Sequence, residues 1–264
     1  MGNHCSCLDE NVGEPICTFG HYQTQTEDAP GSQADQASAP EVFTKSDVRI
    51  RRPMVRLEDG VEYTGEWLQG FRDGYGEQVW PDQARYEGQF VRGKAEGRGK
   101  FFHSDGDIYK GEWKDDKAHG QGIYRHSDGS TYEGQWLLDR QHGHGTEEWP
   151  DGARFVGQYE QTVKHGTGKF SWADGSAYEG EFVDNDIHGE GVYMWADGRK
   201  YEGQWAKNRM HGKGLFAWSD GRLYEGEYAN DQKDGSGIFK WPDGRMYDGQ
   251  WKEGKQHGIG CYYT

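Results

Sequence analysis

Six histidines recur in step along this 264-residue chain: His119, His142, His165, His188, His211 and His257, spaced by 23 residues or twice that. Imidazole is the commonest metal ligand among side chains, so metal binding is the first chemistry to weigh. Zinc needs its ligands about 2.0–2.3 Å away, gathered round one centre. If each 23-residue unit is a β-hairpin, equivalent side chains start about 9–10 Å apart. The spacing therefore predicts hydrogen-bonding, turn-supporting histidines and no shared ion. His142 and His144 lie close together, but no third ligand accompanies them. Asp184-Asn185-Asp186 opens like a calcium loop, yet its fifth position is His188 and its twelfth is Trp195, where a bidentate Glu is required. No nucleophile elbow or kinase signature set is present. The sequence predicts no catalytic residue and no cofactor.

The other candidate chemistry is acylation. The chain begins Met1-Gly2-Asn3-His4-Cys5-Ser6-Cys7. Gly2 with Ser6 fits the N-myristoylation pattern, and Cys5 and Cys7 stand where S-palmitoylation would follow. One myristoyl chain gives only marginal, reversible membrane binding. A second signal is available in the two thiols, and another in Lys45, Arg49, Arg51, Arg52 and Arg56. Such basic residues contribute about 1 kcal/mol each near an anionic leaflet. No apolar core of a secretory signal follows, and no run of 18 apolar residues could span a bilayer. Three of the four cysteines are in the tail and Cys261 is alone, as expected in a reducing compartment. The expectation is an anchor at the cytoplasmic side of the plasma membrane or an internal membrane.

The elements carrying these residues follow from a second periodicity. Tyr63, Tyr86, Tyr109, Tyr132, Phe155, Tyr178, Tyr201, Tyr224 and Tyr247 are 23 residues apart without a slip. Counting each as position 0, Gly follows at 2, 11 and 13 in all nine copies. Aromatic residues favour 4, 15 and 17, and Asp-Gly comes at 19–20. The alternation is a strand period. Asp-Gly and the Gly, Asp or Asn at position 7 are turn signals; Thr162 is the exception there, and Gln83 replaces the glycine of one Asp-Gly turn. Each unit reads as a β-hairpin in which 0 faces 15, 2 faces 13 and 4 faces 11. Positions 0, 4, 15 and 17 hold 31 of the 38 aromatic residues, so one face is ring-rich. A single-layer sheet must cover that face by itself or with a partner.

The string Tyr-Glu-Gly-Glu/Gln-Trp, then His-Gly-x-Gly and Asp-Gly, resembles the MORN repeat (membrane occupation and recognition nexus). Tyr178-Glu179-Gly180-Glu181-Phe182 with His188-Gly189-Glu190-Gly191 matches closely. The resemblance implies an all-β fold: an elongated, single-layer antiparallel β-hairpin array with a groove. It also implies scaffolding, capture of a partner helix or peptide, dimerisation and, in some members, membrane association. Phe155-Val156 departs from the usual Tyr-Glu. The family includes multidomain enzymes, but the chain stops inside its ninth repeat, so no catalytic domain is expected.

The expected organisation is a disordered lipidation tail at residues 1–47, a basic linker and half-repeat cap at 48–62, and nine repeats over 63–264, the last truncated. Of the formal charge of −15, residues 57–264 carry −12. That disfavours nucleic acid and favours basic partner segments. Membrane attachment is therefore assigned to the tail and partner capture to the repeats. Groove-lining rings are expected at Tyr86, Trp113, Trp136, Tyr178, Trp205 and Trp251. The final strand, with Tyr262 and Tyr263, reads as an open edge that invites homodimer pairing. The leading expectation is a non-enzymatic, membrane-tethered scaffold holding a helix or basic peptide. A cytoskeletal or ciliary structural role and an adaptor for a phosphoinositide kinase are the alternatives.

Overall fold

The computed structural model describes residues 48–57 and 59–264. Gly2, Cys5, Cys7 and Lys45 lie outside them. Every regular element among the described residues is a β-strand. These are β1 (Ile50–Arg56), β2 (Glu62–Leu68), β3 (Phe71–Val79), β4 (Arg85–Val91), β5 (Lys94–Phe102), β6 (Ile108–Lys114), β7 (Lys117–Arg125) and β8 (Thr131–Leu137). They continue as β9 (Arg140–Glu148), β10 (Arg154–Glu160), β11 (Val163–Ser171), β12 (Ala177–Val183), β13 (Asp186–Met194) and β14 (Lys200–Ala206). The last are β15 (Arg209–Ala217), β16 (Leu223–Ala229), β17 (Gln232–Lys240), β18 (Met246–Lys252) and β19 (Lys255–Tyr263). The chain divides into two units at Arg140/Gln141. In the first, β1 to β8 pair antiparallel in chain order. In the second, β9 to β19 do the same. The all-β antiparallel hairpin array read from the sequence is the fold.

Two-residue turns close the hairpins. Both turn residues have positive φ, as at Lys207 (49°) and Asn208 (63°), the type I′ geometry that matches strand twist. The second turn residue also reaches back to the preceding hairpin. Asn208 Oδ1 accepts from Ile187 N at 2.7 Å, and Asn208 N donates to Ile187 O at 3.0 Å. Asn185 and Asp231 hold Lys164 N and Met210 N in the same way, each at 2.8 Å. Position 7 is thus both a turn residue and a staple between repeats.

The register corrects one expectation. Tyr201 faces Phe216 and Gly203 faces Gly214, but Trp205 faces Met210, so position 4 pairs with 9 rather than 11. A bulge absorbs two residues between them. Gly212 sits in it at φ 58°, and Gln204 Oε1 accepts from Lys213 N at 2.9 Å. The Glu or Gln at position 3 therefore satisfies a backbone amide that the bulge removes from the ladder. Positions 4 and 11 do meet, across repeats: Gly212 faces Tyr228.

The paired glycines seat the first ring of each repeat. A Cβ built on Gly191 would stand 2.5 Å from Cε2 and Cζ of Tyr178, so the ring lies flat where only glycine leaves room. Tyr178 Oη then donates to Glu181 O at 3.0 Å, which satisfies the hydroxyl that burial would otherwise strand. The next rings roof it edge-on. Tyr178 meets Phe182 at 5.2 Å and 86°, and Trp205 at 5.6 Å and 83°. Such edge-to-face pairs contribute about 0.5–1.5 kcal/mol each beyond area burial.

Candidate interaction surface

The six rings expected to line a groove are spent on this packing. Tyr86 is 1% exposed, Trp113 6%, Trp136 2%, Tyr178 0%, Trp205 3% and Trp251 7%. Rings can hide in a single layer because glycines at 2 and 13 let one ring lie flat while its neighbours cover it. The sequence shows ring positions but not ring orientations.

Of the recurring ring positions, 17 is the one that stays half-open from repeat to repeat; Phe71, Tyr75, Tyr262 and Tyr263 are exposed outside that file. In the second unit Trp149, Trp172, Trp195, Trp218 and Trp241 are half-buried. Each interleaves with the ring at position 15 of its own repeat or the next. Trp172–Tyr193, Tyr193–Trp195, Trp195–Phe216, Phe216–Trp218 and Trp218–Phe239 are 5.2, 4.5, 5.2, 4.4 and 5.5 Å apart. The result is a continuous file of rings beside the Asp-Gly turns. Arg199, Arg222 and Arg245 lie over Trp195, Trp218 and Trp241 at 5.2, 5.4 and 5.6 Å. Each guanidinium also holds an aspartate: Asp197 and Asp220 at 2.7 Å, Asp243 at 2.8 Å. These carboxyls sit below their usual pKa through those hydrogen bonds and the Asx-turn amides beside them.

In the first unit, position 17 carries Trp80, 5.3 Å from Phe101, and then His103 and His126 in place of tryptophan. His126 Nδ1 contacts Asp107 Oδ2 at 2.8 Å, and Tyr124 Oη donates to the same oxygen at 2.8 Å. Burial opposes ionisation of Asp107, but the Ser127 amide, the Tyr124 hydroxyl and the imidazole outweigh it and hold the carboxyl below its usual range. Burial pushes His103 below the usual imidazole value.

Arg49 Nε holds Asp73 Oδ1 at 2.8 Å, Arg52 stacks on Trp67 at 5.1 Å, and Arg56 approaches Glu62 at 4.0 Å. Arg51 is exposed on β1. Three of the four described members of the basic run thus contact the fold. Tyr262 and Tyr263 are 63% and 50% exposed on β19, with Tyr262 5.0 Å from Tyr247. Among the described residues no three His, Cys, Asp or Glu side chains are gathered to hold a metal. No helix among them is long and apolar enough to cross a membrane.

Sequence reasoning missed the half-buried cations at position 9. Lys164 Nζ donates to Glu147 Oε2 at 2.9 Å, Tyr159 Oη donates to the same oxygen at 2.9 Å, and Glu147 is 1% exposed. Arg72 hydrogen-bonds Gln78 in the first unit. The signal was available: Gln78 and Glu147 are the two places where position 15 is not aromatic. Each accompanies a cation at position 9.

The MORN-repeat model matches residues 63–85, 86–108, 109–131, 132–154, 155–177, 178–198, 201–221, 224–244 and 247–264. No curated protein matches the chain. Among solved structures, the TCP10 domain of Danio rerio CPAP is similar at 12% identity and a TM-score of 0.42, over 78% of this chain and 96% of that one. The SAS-4 TCP domain of Drosophila melanogaster, in complex with a proline-rich motif of Ana2, matches at 13% identity and 0.33, over 82% and 96%.

Proposed function

This chain belongs to the MORN-repeat family, and from that premise we propose that it is a non-enzymatic, membrane-tethered scaffold. The repeats hold a protein partner, a helix or basic peptide, along the half-buried rings at position 17. The N-terminal tail, acylated at Gly2 and at Cys5 or Cys7, holds the array to the cytoplasmic side of a membrane. The observation that carries the capture role is the file of tryptophans in the second unit, open on one side and rimmed by Asp197, Asp220 and Asp243. Half-exposed aromatic rings beside charged turns give a partner large apolar contact at low entropic cost. The acidic balance of the repeats favours basic partners and repels an anionic bilayer, which leaves attachment to the tail.

The test compares wild type, Gly2→Ala and Trp195→Ala/Trp218→Ala side by side, by membrane fractionation and quantitative proximity labelling. Gly2→Ala should become soluble and keep a high-affinity partner; the double variant should stay at the membrane and lose it. Unchanged pelleting of Gly2→Ala sinks the anchor, and an unchanged labelled set with the double variant sinks the ring file as the capture surface.

A further inference from the structure

Lys233 occupies position 9 of the repeat that begins at Tyr224, the equivalent of Lys164. The two sites share a tyrosine at position 4 and a tryptophan at position 17 of the preceding repeat. Around Lys233, Tyr224, Trp251 and Arg222 stand where the other site has Phe155, Phe182 and Ala153, and the anion is missing. Where Glu147 serves Tyr159 and Lys164, the corresponding position beside Tyr228 and Lys233 is Phe216. Tyr228 Oη is consequently buried with no hydrogen-bond partner. The Lys233 ammonium is surrounded by rings: Trp218 and Tyr224 at 5.1 Å, Phe239 and Trp251 at 4.7 Å. No carboxylate within ion-pair distance accompanies it among the described residues. The charged group beside it is Arg222, a second cation, over the same Trp218 and paired with Asp220.

The geometry points to Lys233 as a covalent modification site, a nucleophilic amine for small, neutral carbonyl electrophiles. Ring faces attract an ammonium, but four rings without an anion replace its hydration poorly. Burial, then repulsion from Arg222, lowers the Lys233 pKa to about 8. The side chain is half-buried, so a small reagent can reach it. Isocyanic acid is the simplest probe. The amine lone pair forms a bond to its carbon, the C=N π pair takes up a proton, and the nitrogen releases one. Nothing leaves, and the product is a neutral urea. The product removes the unpaired charge that the cage holds.

Full-length protein is treated with dilute cyanate at pH 7.4, and lysine peptides are quantified over time by mass spectrometry. A pKa near 8 leaves roughly 200-fold more free amine than the ordinary value of a lysine. Lower intrinsic nucleophilicity, if it follows basicity as it does for thiols, removes about tenfold of that. Lys233 should therefore react roughly ten- to twentyfold faster than exposed Lys252, and Lys164 should react more slowly than either. Phe216→Glu, which supplies the missing carboxylate, should bring Lys233 down to the rate of Lys164. Labelling of Lys233 no faster than Lys252, or equal rates at Lys233 and Lys164 in wild type, overturns the assignment whether or not the variant folds.

Discussion

Lys164 and Tyr159 converge on one oxygen of Glu147, each at 2.9 Å, inside a stack otherwise built of rings. Removing one member of a buried pair leaves an uncompensated charge and costs about 3–5 kcal/mol, whereas replacing both by apolar residues is often neutral or stabilising. Glu147→Phe alone should therefore lower the urea midpoint sharply. Glu147→Phe/Lys164→Ile, which copies the equivalent pair Phe170 and Ile187, should return it to wild type or above. A single variant as stable as the double would show that the pair is not buried as described.

Thr162 holds φ 76° in a hairpin turn, a conformation that costs a β-branched residue roughly 1–2 kcal/mol. Thr162→Asn should stabilise by about 1 kcal/mol, because Asn tolerates that region and can add the staple that Asn185 makes. Thermal unfolding of the variant checks this; a lower midpoint would contradict it.

The glycines separate two kinds of constraint. At Gly191 a Cβ collides with the Tyr178 ring, while at Gly175 (φ 88°) it meets nothing within 4 Å. Gly191→Ala should cost more than about 2 kcal/mol, the range of overpacking in a filled core. Gly175→Ala should cost only the left-handed backbone penalty of about 1–2 kcal/mol. Equal losses by urea titration would rule out the ring-over-glycine account.

Burial raises the pKa of Tyr63 to about 12, and those of Tyr86, Tyr178, Tyr201 and Tyr224 further. An unfolded tyrosine titrates near 10, so the unfolded chain loses protons first as pH rises. The stability these phenols contribute is complete below pH 10 and falls between about 10 and 12, by up to about 1.4 kcal/mol per pH unit for each. Circular dichroism and tyrosinate absorbance should change together in that window. Ionisation near pH 10 without loss of the strand signal would mean the rings are open to solvent.

Much of the fold was legible because it is written nine times. The two-residue alternation and the turn residues at positions 7 and 20 gave strands and hairpins directly. The bulge was not legible: two residues outside the ladder leave no mark beyond Gly212, whose glycine could have served a straight strand. Ring exposure at Trp113 or Trp205 could not be read either, since it depends on which neighbour lies flat and which stands on edge. Glu147 was legible in retrospect, as a break in the ring rule at position 15 matched by Lys164. The acylation pattern at Gly2, Cys5 and Cys7 belongs to residues outside those described, and rests on sequence alone.

The backward staples have a mechanical meaning. Each turn at position 7 is pinned to the hairpin before it, as Asn208 is to Ile187, so a pulling force meets one lock per repeat. A ladder loaded along its chain should yield in discrete steps, each freeing 23 residues, or about 70 Å of contour once the folded spacing is subtracted. The first steps should fall where the lock has no side chain, at Gly93 and Gly254, and the sawtooth in a force trace would then report the repeats one by one.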